Sequence, residues 1–196
     1  MVLLYVPPVQ NLIRREVTAY ASKATGMQIQ VERIDLRFPL NLLVRGVEVI
    51  QQPDTLLSLE SLNVRVQAWP LLKGKVEVDE VTLSRVAFNS ANLIDGMEIK
   101  GVLGRFFLQS HGVDLSNETA VINATELSDT HVQMLMNDTT TTPKDTTASA
   151  PVNWKVDLHQ LKLKNVSFSM QLPADSMRMA AHIGEATIDD AQADLK

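Results

Sequence analysis

The residues that could do chemistry in this chain are few, and their spacing suits no known catalytic arrangement. His111, His131, His159 and His182 stand far apart, without the short intervals that gather metal ligands on one element. The chain has 0 Cys, which removes thiol nucleophiles, thiolate ligands and disulfides together. Asp79-Glu80 and Asp189-Asp190 are adjacent carboxylates. On a strand, neighbours point to opposite faces, so such pairs cannot share a proton as a general acid and base. Gly101-Val-Leu-Gly104 lacks the third glycine and the strand–helix setting of a nucleotide-binding turn, and no Gly-x-Ser-x-Gly elbow occurs. Asn117, Asn123, Asn137 and Asn165 begin glycosylation sequons, which a Thr- and Ser-rich chain produces by chance. Net charge is −5, with no basic block to serve as an electrostatic footprint for nucleic acid. The expectation is a protein that is not an enzyme and that uses no metal, cofactor or nucleic acid.

What remains is a surface, and the elements that must build it are legible. The chain has 196 residues, 45% of them hydrophobic, enough for a folded domain. Apolar residues at Val9, Leu12, Ile13, Val17, Tyr20, Ala21 and Ala24 keep i, i+3, i+4 spacing, which predicts an amphipathic helix over 9–25. Pro8 suits its first turn and Gly26 its C-terminal stop. Arg14 and Arg15 lie on its polar face. This helix either plugs one end of a core or lies at a membrane surface. Met1–Val6 is apolar but too short to span a bilayer. It reads as a strand or tail, or as the last turn of a membrane helix that begins earlier.

After Gly26 the apolar spacing changes to steps of two and three. Eight segments show it: Ile29–Leu36, Leu42–Val49, Leu57–Val66, Val76–Phe88, a weaker Met97–Ile99–Val102, Thr125–Val132, Val156–Phe168 and Ala186–Ala193. A step of two keeps side chains on one face of a strand. A step of three keeps the face only if a bulge or tight reversal absorbs the extra residue. The fold class predicted is therefore mainly β, an N-terminal helix followed by repetitive antiparallel strands with one apolar face.

Two segments superpose in spacing. Val76, Val78, Val81, Leu83, Val86 and Phe88 match Val156, Leu158, Leu161, Leu163, Val166 and Phe168 at an offset of 156 − 76 = 80 residues. Such recurrence marks an array whose units share a core. Phe38-Pro39, Gln52-Pro53-Asp54 and Trp69-Pro70 interrupt the ladder, and Lys73-Gly74-Lys75 reads as a turn. The polar, Thr-rich stretch 137–151 reads as a disordered loop inserted in one domain spanning 27–196. One short helix cannot cover eight strand segments. Their apolar face needs a second sheet or a ligand with acyl chains.

Several blocks resemble the N-terminal region of the AsmA/TamB-like family. They are Tyr5-Val-Pro-Pro-Val-Gln-Asn11, Thr25–Ile34, Phe38–Val47, Trp69–Lys75 and the cadence of Val76–Phe88. The resemblance implies a taco-like groove of the bridge-like lipid-transfer type, held at the inner membrane and lying in the periplasm of a bacterial envelope. It implies residues 1–26 as the end of a membrane anchor plus a capping helix, the anchor itself being missing or truncated. It implies phospholipid as the partner, carried between inner and outer membrane, with the twelve matched apolar residues of 76–88 and 156–168 lining the groove. The alternative is a periplasmic scaffold for outer-membrane protein assembly or protein secretion, with an Omp85-type barrel as partner.

Overall fold

In the computed structural model, residues 15, 18–67, 69–70, 77–114, 118–136, 154–172 and 177–195 are described. Residues 18–25 are helical, and Gly26 ends the helix with φ 71° while its N–H donates to the Ser22 carbonyl at 3.0 Å. That left-handed C-terminal stop is the one its sequence suggests. The Ser22 hydroxyl accepts from the Ile29 N–H at 3.0 Å, tying helix to sheet. The first half of the expected helix lies largely outside the described residues, as does the 137–151 loop.

Eight strands follow: β1 (Gln28–Arg37), β2 (Asn41–Gln51), β3 (Asp54–Val66), β4 (Val78–Asn89), β5 (Met97–Asp114), β6 (Thr119–Met136), β7 (Trp154–Leu172) and β8 (Met177–Leu195). They form one sheet in sequence order, with β1 and β8 at its free edges. Each strand overlaps one of the eight predicted segments, and β5, β6 and β8 extend well beyond theirs. Among the described residues there is no second sheet.

The sheet departs from the antiparallel order expected from the sequence at one place, because β6 and β7 pair in parallel. The repeat accounts for this. β4 and β7 lie three places apart, so uniform antiparallel pairing would run them in opposite directions and invert one copy against the other. One parallel pairing restores a common direction. The 17 residues of 137–153 supply the long return connection that a parallel pair requires.

The three-residue steps fall on a line that crosses the whole sheet. Glu32, Gly46, Glu60, Arg85, Gly104, Asp129, Asn165 and Gly184 face one another strand by strand, and every one drops out of the pairing ladder. Each strand thus takes one extra residue at the same level, and the ladder resumes in register on both sides. This is a shared crease, not a set of independent bulges, and no strand reverses there. Gly46, Arg85, Asp129 and Asn165 have positive φ, between 48° and 57°. Their strands, β2, β4, β6 and β7, all run the same way, so strand direction decides which residues turn left-handed. Glycine adopts that conformation freely, and Asn and Asp do so more readily than other side-chain-bearing residues. Arg85 is the exception in type; its guanidinium pairs with Glu60 across the crease. Asn165 donates to Asp129 Oδ1 at 2.7 Å in the same line. A second, less regular line crosses β4 to β8 through Asp79, His111, Asn123, His159 and Asp190, and Asp190 has φ 55°.

Candidate functional site

The crease keeps the apolar residues that recur in steps of two and three on one face of the sheet. Phe88 pairs with Leu57 on one side and Gly101 on the other; Gly101 meets Val132, and Val132 meets Phe168. Below it run Val86, Leu103, Thr130 and Val166. Past the crease come Leu83, Phe106, Leu127 and Leu163, then Val81, Leu108, Thr125 and Leu161. The two repeats therefore stand in the same four rows, three strands apart. On β1 to β3 the rows continue through Ile34, Val44 and Leu62, and on β8 through Ile183, Ala186 and Ile188.

Of the twelve residues singled out from the sequence, Val76 lies outside the described residues. Val78, Val81, Leu83, Val86, Phe88, Val156, Leu158, Leu161, Leu163 and Val166 are half-buried, and Phe168 is 39% exposed. None is sealed away as it would be between two packed layers. Only Leu56, Leu59 and Ala120 count as buried apolar residues among those described, and no large side chain is fully buried. Thr125 and Thr130 are polar interruptions of this face; the Thr130 hydroxyl donates to the Ser128 carbonyl at 3.2 Å, which satisfies it.

Sequence reasoning assigned the fifth segment wrongly. Val102, taken from the weak Met97–Ile99–Val102 pattern, pairs with Ala87 and His131 on the opposite face and is 50% exposed. The face is carried instead by Gly101, Leu103, Phe106 and Leu108. Gly101 broke the apparent periodicity because it contributes no side chain. The Phe88 ring fills the gap by lying against it, leaving no room for a Cβ there. The Phe106-Phe107-Leu108 run gave no alternation to read, although Phe106 is in step with the strands beside it.

The opposite face is charged and cross-linked. Arg65 pairs with Glu80 at 3.1 Å, and Glu126 lies between Arg105 at 3.7 Å and Lys164 at 3.5 Å. The Arg105 guanidinium also sits 5.5 Å above the Phe107 ring. Exposed ion pairs of this kind contribute little individually, roughly 0–1 kcal/mol, but they keep one face in water. Three histidines belong to this face: His182 stands opposite Ser167 in the ladder, His131 Nδ1 lies 2.6 Å from Ser167 Oγ, and His159 Nδ1 lies 3.3 Å from Asp190 Oδ1. Among the described residues no group of three His, Asp or Glu could hold a metal, and no helix is long and apolar enough to cross a membrane.

No protein-family model matches the chain, and neither a curated protein nor a solved structure matches it.

Proposed function

We propose that this chain is the membrane-proximal part of an AsmA/TamB-like envelope protein that binds phospholipid along its apolar face and conducts it between inner and outer membrane. The observation that carries the reading is a single-layered sheet whose eight strands align one continuous apolar face, with half-buried side chains and no second sheet over it among the described residues. Leaving that much aliphatic surface to water is costly, at about 25 cal/mol per Å². Acyl chains offer a cover of matching chemistry that can slide along rows of interchangeable Val, Leu and Phe. A groove-shaped curvature about the shared crease would shield those chains on two sides. The free edges at β1 and β8 suit a unit in a longer array, since each offers unpaired backbone groups for another strand.

The test is lipid analysis of the purified protein. Organic extraction and mass spectrometry should recover phospholipid from the parent chain. Leu83→Glu and Leu163→Glu should lose that lipid while melting within a few degrees of the parent, because a carboxylate on an open face reaches water. If the face were instead closed by a protein layer, as in the scaffold reading, each change would bury an unpaired charge and cost several kcal/mol. A parent chain free of lipid, with both variants unfolded, decides against lipid carriage.

A further inference from the structure

The two edges of the sheet are not alike. β1 has 10 residues, and its start is tied to the helix by the bond from the Ile29 N–H to the Ser22 hydroxyl. β8 has 19 residues, and among the described residues only β7 pairs with it. Edge strands are commonly guarded against further pairing by brevity, by Lys or Pro, or by a covering element. β8 is long, and 177–195 contains no Lys and no Pro. The crease at Gly184 does not guard it either, because the ladder with β7 resumes on both sides. Met177, Met179, Ile183 and Ile188 are between 37% and 52% exposed along this strand. Its charges are also sorted. Within 177–192, Arg178 and His182 occupy the first half without a carboxylate, and Glu185, Asp189 and Asp190 occupy the second half without a base.

We infer that β8 pairs antiparallel with β8 of a second copy of this chain, joining two sheets into one. A two-fold axis perpendicular to the sheet makes this pairing and keeps both apolar faces on the same side. In the register that sets Ile183 opposite the partner's Ala186, Ala181 falls opposite the partner's Ile188, and symmetry repeats each contact. Every branched side chain then meets an alanine, so the apolar row closes without crowding. On the charged face, Ala180 falls opposite the partner's Asp189, which brings Arg178 diagonal to that carboxylate. The basic half of one strand thus lies along the acidic half of the other. A parallel arrangement would set Glu185, Asp189 and Asp190 against their own copies and turn the two apolar faces to opposite sides. β1 of a second copy suits this edge less: it runs in the same direction as β8, so the pairing would be parallel, and its start is held by the helix. The inference goes beyond the lipid-carrying reading, because it uses the edge of the sheet and not its face.

Sedimentation velocity over a range of concentrations should show a species of twice the 21.7 kDa of one chain, and nothing larger, because a two-fold pairing closes on itself. Arg178→Glu should weaken association by about tenfold, since symmetry changes two cross-strand pairs at once. Adding Asp189→Arg to that variant should restore it. Register is read by disulfide formation. The chain has 0 Cys, so Ile183→Cys and Ala186→Cys each introduce a single thiol. Opposed Cα atoms of an antiparallel pair lie about 4.5–5.5 Å apart, within reach of a disulfide, whereas positions three residues out of register stand about 10 Å away. After subunit exchange and mild oxidation, the mixture of the two variants should give a covalent dimer and neither variant alone should. A monomer at every concentration, open-ended oligomers, equal cross-linking of a single variant, or failure of Asp189→Arg to rescue each overturns the inference. Leu83→Glu separates this outcome from the lipid-carrying reading, because it should abolish extractable lipid and leave the dimer intact, whereas Arg178→Glu should do the reverse.

Discussion

Gly104→Ala tests whether the crease is a shared structural line. A Cβ built at Gly104 would stand 2.6 Å from Asp129 Cβ, 3.1 Å from the Asp129 carbonyl oxygen and 3.2 Å from that of Ser128. Two of those atoms are backbone, and Asp129 is itself held at φ 50°, so the obstruction cannot rotate aside. Overpacking of this kind costs about 1–3 kcal/mol. In a chain of this size each kcal/mol moves the melting temperature by about 2–4 °C, which gives a loss of about 2–12 °C. Gly184 lies on the same crease at the edge strand, and a Cβ there meets nothing within 4 Å. Gly184→Ala should therefore shift melting by no more than about 2 °C, as expected for a surface change within ~0.5 kcal/mol. Differential scanning calorimetry of the two variants decides. Equal melting temperatures, or a larger loss at Gly184, would refute the idea that neighbouring strands interlock along this line.

Other expectations follow from the same geometry. Asn165→Ala keeps a left-handed residue on β7 but removes both the tolerance of Asn for that conformation and its bond to Asp129, so urea titration should show a loss of about 1–3 kcal/mol. Asn165→Gly, which eases the backbone while still losing the bond, should cost less than Asn165→Ala. Arg85→Gly should be nearly neutral by the same assay, because relief of φ 48° offsets loss of an exposed ion pair. Limited proteolysis should cut first within 138–150, whose polar, Thr-rich sequence offers nothing to bury; first cuts inside β4 would contradict the repeat as the stable unit.

Much of this sheet was readable as spacing. Seven of the strands announced themselves because steps of two with interspersed steps of three are incompatible with a helix, and in those seven each three-step marks a place where the strand meets a crease. What spacing could not show was that the three-steps of different strands coincide. Counting apolar positions along one strand carries no information about the next; the alignment of Glu60 with Arg85 and of Asp129 with Asn165 exists only in the ladder. Strand direction was hidden for a related reason. Two copies at an offset of 80 residues look the same in sequence whichever way the intervening strands run, and only their placement in common rows requires β6 and β7 to be parallel. β5 was misread because Gly101 and the Phe106-Phe107-Leu108 run obscure its parity. The bond from the Val66 N–H to the Leu40 carbonyl, which brings the end of β3 against the 38–40 turn, was equally invisible, since the two lie in different parts of the chain.

The most direct test of lipid carriage is site-specific photocrosslinking. A photoreactive benzophenone amino acid is placed singly at Leu83, Leu163 or Val102 in the chain expressed in cells, and phospholipid adducts are read by mass spectrometry. Leu83 and Leu163 lie in the same apolar row on β4 and β7, whereas Val102 is apolar and exposed on the charged face. Phospholipid adducts at 83 and 163 with none at 102 are the predicted result. Adducts at 102 alone, equal adducts at all three, or exclusively protein adducts at 83 and 163 would contradict it.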